Sequence, residues 1–182
     1  EALGVECLVI GGNVAEDASC VAMAAAAIEK WGRIDILVNN AGTTKFVDHS
    51  DLHGLDSDDF QHIYGVNVIG SYQMIRAVSE QMQSQEEGGA VVNVASTAAV
   101  TGIGSSVAYA ASKGALVTMT LSLARVLGPK LRINAVCPGF IEGDWLREGL
   151  GEKKYDELMD FHRKNSPLGV TATPETVADA IV

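Results

Sequence analysis

The chain has 182 residues, 47% of them hydrophobic and 20% charged, a composition typical of a single globular domain spanning 1–182. Its formal net charge of -10 at pH 7 disfavours nucleic acid and anionic membranes as partners, because both are bound through basic surfaces. The longest apolar run, at 21–28, is far shorter than the roughly 20 residues of a membrane-spanning helix, so we expect a soluble protein located in the cytoplasm.

Short β-rich apolar runs alternate with longer helical patterns, which is typical of a parallel sheet wrapped by helices. The first run, Val5–Ile10, predicts a strand that ends at two glycines. A helix follows, which opens at Asp17 or Ser19 and is closed by Gly32. The run 34–39 predicts a second strand, and its unbroken apolar character indicates that both of its faces are covered.

A long helix is predicted to begin with Ser57 as its cap, and its larger side chains recur at spacings of three and four. Asn67 shares the inward stripe that this spacing defines, so its amide is expected to point at the core. The stripe consists of Phe60, Ile63, Tyr64, Asn67, Val68, Tyr72 and Ile75.

The remaining elements continue the alternation of strand and helix. Further strands are predicted at 90–94 and 131–136, and further helices at 107–127, at 144–165 and from Thr173 onward. Gly128 and Pro129 end the helix at 107–127, because proline cannot continue a helical hydrogen-bond ladder.

Cysteine and histidine give no sign of a metal site. The three cysteines, Cys7, Cys20 and Cys137, are scattered without metal-ligand spacing and are expected to be reduced, buried thiols. The four histidines share no spacing with acids or cysteines, so no metal is predicted.

Tyr109 and Lys113 are four residues apart in the helix predicted at 107–127, which places phenol and ammonium on one face. A neighbouring cation favours the phenolate, so we expect the pKa of Tyr109 to fall below its usual value of about 10. Such a phenol is suited to general acid or base catalysis near neutral pH. A solvated surface pair has the same spacing and is the alternative.

Three further motifs follow predicted strands, at the sheet edge where ligands of open parallel sheets bind. Asn39-Asn40-Ala41-Gly42 closes the strand at 34–39, and Ser96 follows the strand at 90–94. Pro138-Gly139 follows the strand at 131–136. Ordinary turns and caps explain each motif when it is taken alone.

Together these residues resemble the short-chain dehydrogenase/reductase family, and within it most of all the 3-oxoacyl-acyl-carrier-protein reductase type. Tyr-x-x-x-Lys alone is common, so the ordered set over nearly the whole chain carries the resemblance. The set is Asn39-Asn40-Ala41-Gly42, Asn67, Ser96, Tyr109-Ala110-Ala111-Ser112-Lys113 and Asn134-Ala135-Val136-Cys137-Pro138-Gly139.

The resemblance implies an α/β, doubly wound, Rossmann-like fold and hydride transfer between NAD or NADP and a small carbonyl or secondary alcohol. Reduction of a 3-oxoacyl thioester is one candidate reaction, and sugar, polyol or steroid dehydrogenation are others. A relative that binds a dinucleotide without turnover is the competing class. The family also implies a homo-oligomer, most plausibly a tetramer, in which the helices bearing Asn67 and Tyr109 pack across two-fold axes.

The family assigns roles to four matching positions. The residue matching Tyr109 exchanges a proton with the substrate oxygen, which the residue matching Ser96 holds and polarises. The residue matching Lys113 grips the nicotinamide ribose and lowers the tyrosine pKa. The residue matching Asn67 holds a water of the proton relay, although an inward amide that only bridges the helix to its neighbour is a structural alternative.

Cofactor contacts carry over in the same way. The matching positions are Asn13, Val14, Asn40, Ala41, Gly42, Tyr109, Lys113, Pro138, Gly139 and Ile141. Two positions depart from the family: Asn13 replaces the usual Asp beside the adenine, and Gly143 replaces a Thr that helps to hold the nicotinamide.

The family's first two strands, its glycine-rich pyrophosphate turn and its last strand have no counterpart in the sequence, so we expect 1–182 to be incomplete at both ends. The residue that selects NAD or NADP is expected among the missing segments. Thr101-Gly102-Ile103-Gly104 follows the strand before Ser96 rather than a first strand, so it predicts a loop and no phosphate cradle.

Overall fold

Helices and strands alternate along residues 4–182, the part of the chain that the computed structural model describes. The strands are β1 (Ile36–Asn39), β2 (Gly89–Val94) and β3 (Leu131–Val136). The helices are α1 (Asp17–Trp31), α2 (Ser57–Tyr64), α3 (Ser71–Ser84), α4 (Ala98–Thr101), α5 (Val107–Leu127), α6 (Asp144–Leu150), α7 (Glu152–Asn165) and α8 (Pro174–Ile181). A π-helical segment, Gly65–Gly70, lies between α2 and α3.

The three strands form one parallel sheet in the order β1-β2-β3, which confirms the predicted α/β class. Leu37 pairs with Val91, which in turn pairs with Ile133, so these side chains share one face of the sheet. That face packs against α3 and α5, and α1 packs against α3. The buried core consists of Ala24, Ile75, Val78, Met82, Val91, Leu131 and Ile133.

The opposite face of β1 is open within the described chain. Ile36 is 65% exposed and Val38 is 41% exposed, so the prediction that this strand is covered on both faces is wrong. The reason is that α3 meets β1 on the side of Leu37 and Asn39, and alternate side chains of a strand point to opposite faces.

The strand predicted at Val5–Ile10 is also wrong, since this segment has no strand pairing in the described chain. A strand needs a neighbour that accepts and donates its backbone hydrogen bonds, and apolar residues alone do not provide one. Val9 is 95% exposed. The contacts that hold the segment come instead from Lys30, whose Nζ binds the carbonyl of Cys7 at 3.3 Å and Glu6 at 3.1 Å.

The long helix that carries Asn67 differs from the prediction at its start and in its middle. Its cap is Asp56 rather than Ser57, and a reciprocal bond to Asp59 completes a capping box. The π segment adds a residue to one turn, and this rotates the following face. Tyr72 is therefore 44% exposed, whereas Asn67 is fully buried as predicted.

Several other predicted elements are confirmed. Helix α5 has the predicted bounds and is capped by the buried Ser106. Gly32 ends α1 in the left-handed conformation, and Thr173 caps α8. The helical region predicted at 144–165 divides into α6 and α7 at Gly151, whose φ of 79° does not fit a continuous helix.

Exposure differs among the cysteines. Cys20 is buried as predicted, but Cys7 and Cys137 are exposed, because one lies in the segment without a strand partner and the other just beyond β3. Helix α5 is the one helix of residues 4–182 that is long and apolar enough to cross a membrane. Its contacts with β2 and β3 identify it as a core helix of the α/β fold.

Candidate active site

A cavity of about 1070 Å³ lies at the carboxyl edge of the sheet, where the loops after all three strands meet. Most of the residues singled out from the sequence line it, although those motifs are up to about 100 positions apart. Those that line it are Asn40, Gly42, Ser96, Tyr109, Lys113, Pro138, Gly139 and Ile141. The parallel topology brings them together, because it places every strand's carboxyl end at one edge.

Backbone pairing continues beyond β2 and β3 and sets Ser96 beside Pro138. The amide of Ala95 donates to the carbonyl of Val136 at 2.8 Å, and the amide of Thr97 donates to the carbonyl of Pro138 at 2.9 Å. The Ser96 hydroxyl accepts a bond of 3.1 Å from the amide of Ala98. Ser96 is thereby fixed at the cavity wall with its hydroxyl hydrogen free to be donated.

Tyr109 lies in the first turn of α5, where its amide donates to the capping hydroxyl of Ser106 at 3.3 Å. Its ring has Gly104 on one side: a Cβ at position 104 would lie 3.2 Å from Cδ1 of Tyr109. The segment 101–104 is a loop, as predicted, and its bare Gly104 backbone allows a close approach to the ring. The phenol is therefore held in place from both its backbone and its ring.

Lys113 lies one turn after Tyr109 and is only 4% exposed. Its Nζ donates to the carbonyl of Val94 at 2.7 Å and lies 5.7 Å from the centroid of the Tyr109 ring. Burial lowers the pKa of Lys113 to about 8, an effect that Cys137 partly opposes. The pair is thus not the solvated surface pair that was the alternative.

The pKa of Tyr109 is raised, so the expectation of a lowered value is wrong for this structure. Burial is the main cause, because it removes water from the phenolate, and the side chain of Ser96 opposes it in part. Lys113 is not among the causes of this shift, and its Nζ donates to the carbonyl of Val94 rather than to the phenol.

Lys113 links the stability of the fold to pH above neutrality. Its pKa of about 8 in the folded chain lies below its ordinary 10.5, so the unfolded chain binds more protons between these values and stability rises with pH there. We expect the unfolding free energy of the parent minus that of Lys113→Met to increase by about 2 kcal/mol from about pH 7 to about pH 9.5. Urea unfolding without cofactor measures this difference. Lys153→Met, at an exposed position, is the control, and its difference from the parent should not change with pH. The prediction would be contradicted if the difference for Lys113→Met were also independent of pH.

Asn67 forms a buried bridge between the π segment, the loop after β1 and α5. Its Oδ1 accepts from the amide of Thr43 at 2.8 Å, and its Nδ2 donates to the carbonyl of Thr43 at 3.0 Å. Nδ2 also donates to Oγ of Ser112 at 2.9 Å, and this hydroxyl donates to the carbonyl of Tyr109 at 2.8 Å. The amide is therefore joined through one hydroxyl to the backbone of Tyr109.

A second chain of buried polar groups lies beneath the site. It includes Asn93, which no sequence motif indicated. Asn39 Nδ2 donates to Asn93 Oδ1 at 2.9 Å, and Asn93 Nδ2 donates to the hydroxyl of Thr120 at 2.9 Å. Asn39 Nδ2 also lies 3.3 Å from the carbonyl of Ser71. The available signal for Asn93 was a polar residue in an otherwise apolar strand. These bonds connect the carboxyl ends of β1 and β2 to α3 and α5.

Three predicted cofactor contacts do not line the cavity: Asn13, Val14 and Ala41. The side chain of Asn13 is used locally, since its Oδ1 accepts from the amide of Ala15 at 3.1 Å and its Nδ2 donates to Glu16 at 3.0 Å. Val14 packs against Gly70, where a Cβ would lie 2.8 Å from Cγ2 of Val14. These contacts stabilise the segment that leads into α1.

Two aromatic residues that no sequence motif indicated, Phe46 and Trp145, line the cavity. The Trp145 ring is 6.5 Å from that of Tyr109 and 6.0 Å from that of Phe46. Tyr155 is buried, and its hydroxyl accepts from the amide of Gly143 at 3.2 Å. Position 143, where the sequence departs from the expected Thr, is thus held by a phenol through its backbone.

Among residues 4–182, no cluster of three or more His, Cys, Asp or Glu side chains is placed so that it could hold a metal ion. His49 Nε2 lies 3.1 Å from the carbonyl of Gly104, and His162 stacks on Phe140 with ring centroids 4.9 Å apart. Both side chains border the cavity as parts of its wall.

Comparison with known proteins identifies relatives over the whole chain. The family model described as Enoyl-(Acyl carrier protein) reductase matches residues 1–182. A ketoacyl reductase ascribed to the granaticin polyketide synthase of Streptomyces violaceoruber is 36% identical over 177 residues, which are 97% of this chain and 70% of that protein. The L-rhamnose 1-dehydrogenase (NAD(P)(+)) of Azotobacter vinelandii is 34% identical over 182 residues, 100% of this chain and 69% of the relative.

Solved structures lead to the same group. A Burkholderia xenovorans protein described as a short-chain dehydrogenase/reductase has a TM-score of 0.87 at 36% identity, over 98% of this chain and 69% of that chain. The matches extend over the strands, the cavity and α5, which carries Tyr109 and Lys113. By the family model, the sequence identities and the shared fold, the chain belongs to the short-chain dehydrogenase/reductase family.

Proposed function

We propose that Ser96, Tyr109 and Lys113 make this chain an NAD(P)-dependent dehydrogenase or reductase acting on a carbonyl or secondary alcohol. The observation that carries the proposal is that all three side chains line one cavity at the carboxyl edge of the sheet. When bound, the nicotinamide cofactor supplies or accepts the hydride. Family membership supports this chemistry. The residues of the chain would bind the cofactor, orient the substrate and transfer the proton.

The cavity has residues suited to the nicotinamide end of the cofactor. Asn40, Gly42, Pro138 and Gly139 line this end, and Lys113 provides a buried ammonium donor. A Cβ at Gly42 would come within 3.5 Å of Lys113 Nζ, so the bare glycine leaves space beside that donor. Lys113 would hold a ribose hydroxyl, and the residues at 138–141 would contact the carboxamide.

Tyr109 transfers the proton of the reaction. In reduction the phenol gives its proton to the carbonyl oxygen as the carbonyl carbon receives the hydride, and in oxidation the phenolate takes the proton of the alcohol. Ser96 donates a hydrogen bond to the same oxygen and fixes it near the phenol. Burial raises the pKa of Tyr109 and so favours the protonated phenol, the form that donates the proton in reduction.

A spectrophotometric assay tests the proposal. The intact protein is mixed with NADH or NADPH and a panel that contains a 3-oxoacyl thioester, a simple ketone and a reducing sugar. We expect the absorbance of the reduced cofactor to fall with at least one carbonyl. Absence of turnover with every member of the panel and with either cofactor would contradict a reductase role.

We also propose a cytoplasmic homotetramer. The apolar residues of the long helices differ in their availability for an interface: Leu121 of α5 is 56% exposed, whereas Val78 of α3 is buried in the core of its own chain. Leu121 is therefore the better interface candidate. Light scattering of the intact protein should return a mass of four chains, and a monomer mass would refute the assembly.

A further inference from the structure

Trp145 and Phe46 line the cavity side by side, and we call this pair the aromatic wall. Trp145 lies in the first turn of α6, and its ring is tilted by 57° against Phe46 and by 50° against Tyr109. Trp145 is 52% exposed although it lines the cavity. A large aromatic side chain beside the proton-transferring phenol therefore keeps much of its surface free for a ligand.

Phe46 is fixed against α6 by close contact. A Cβ at Gly149 would lie 2.1 Å from Cε2 of Phe46, so the ring occupies the space that a side chain there would need. The neighbouring amide of Val47 donates to the carbonyl of Ser105 at 2.9 Å, which ties the loop after β1 to the loop before α5. Phe46 is thereby held by α6 and by the loop before α5.

Other apolar side chains line the same cavity. They are Ile103, Ile141, Leu146, Leu150 and Leu158. Three carboxylates line the same cavity, those of Asp48, Glu142 and Asp144. Glu142 is bonded to Arg163 at 3.1 Å and to the hydroxyl of Thr171, and Asp48 is bonded to Ser50 Oγ at 2.6 Å. An alkyl or aryl group against Trp145 would bury existing apolar surface, whereas hydroxyls placed on that surface would lose hydrogen bonds to water.

We infer that Trp145 determines specificity, and that the substrate is a ketone or secondary alcohol with an alkyl or aryl group next to the reacting carbon. This inference rests on the proposed function and narrows its substrate. The apolar group packs on the indole of Trp145 while the oxygen lies at Ser96 and Tyr109. A sugar or polyol, whose carbons next to the reacting centre carry hydroxyls, fits this wall poorly.

The first experiment measures kcat/KM of the intact protein for 1-phenylethanol, 2-propanol and xylitol. The parent should prefer 1-phenylethanol to xylitol. Trp145→Ala should reduce the preference for 1-phenylethanol over 2-propanol by about 10- to 100-fold, the effect of losing one buried aromatic contact. Trp145→Phe should retain most of that preference, because it keeps an aromatic face.

Trp31 provides a matched control, since it is the other tryptophan of the chain, lies in α1 and is 43% exposed outside the cavity. Trp31→Ala should leave the preference unchanged. In a Trp31→Phe background, the emission of Trp145 should change saturably with 1-phenylethanol in the presence of cofactor and should not respond to xylitol.

The outcomes separate the substrate class from the proposed function. Turnover that favours xylitol, or a preference that Trp145→Ala leaves intact, would overturn the inference while the oxidoreductase function stands. A saturable change in Trp145 emission without turnover of any alcohol would uphold the binding site and remove the enzymatic role. A linear or absent response of Trp145 to 1-phenylethanol would also overturn the inference.

Discussion

Replacing Tyr109 by Phe should lower turnover by at least about 100-fold, the loss typical of removing a general acid or base. The substitution keeps the ring beside Gly104 and Trp145 and removes only the hydroxyl that carries the proton. The fold should therefore be unaffected, and cofactor affinity should change little. Steady-state turnover together with a direct titration of cofactor measures both quantities.

Tyr72→Phe is the matched control, because Tyr72 lies on α3 and is 44% exposed. It removes the same hydroxyl at a position outside the cavity and should leave turnover unchanged. If Tyr109→Phe retained turnover within a few-fold of the parent, another group would have to supply the proton. A loss of cofactor binding equal to the loss of turnover would instead assign Tyr109 to binding.

Replacing Asn67 by Leu should lower the unfolding free energy by about 3 kcal/mol. The substitution leaves the amide and carbonyl of Thr43 without their partners at 2.8 and 3.0 Å, and each lost partner of a buried polar group costs about 1–3 kcal/mol. Turnover should fall with stability, because the same bridge reaches the backbone of Tyr109 through Ser112. Urea unfolding and steady-state kinetics are measured on the same preparations.

Ser112→Ala separates the two ends of this bridge. It removes the hydroxyl that joins Asn67 to α5 and leaves both bonds to Thr43, so we expect a loss of only about 1 kcal/mol. The family assigns the matching asparagine to a water of the proton relay. Turnover that collapses in Asn67→Leu while the unfolding free energy stays at the parental value would favour that role over structural bridging.

The residues at the strand ends could be located from the sequence because one rule of topology places them. Parallel strands present their carboxyl ends at one edge, so Asn40, Ser96 and Pro138 converge without any knowledge of side-chain packing. The helical spacing of Tyr109 and Lys113 is equally local. Both inferences depend on backbone geometry that the sequence pattern already specifies.

Contacts between remote segments could not be predicted in this way. Phe46 and Trp145 are about 100 residues apart, and nothing in either local pattern indicates that their rings lie 6.0 Å from each other. The expectation of a lowered pKa at Tyr109 was wrong for a related reason. Sequence spacing identifies Lys113 as a neighbour, but the balance between a charge and desolvation depends on burial by the whole fold.

The π segment at Gly65–Gly70 sets the rotational phase of everything that follows it on the same helix. The widened turn holds one residue more than a regular α turn, so deleting one residue there and restoring regular α geometry would keep the rotational phase of α3. Ile75, Val78 and Met82 would then stay on the face that meets the sheet. Restoring regular α geometry without a deletion would instead rotate α3 by about 100°. A relative that lacks the π segment and keeps this core is therefore expected to be one residue shorter here.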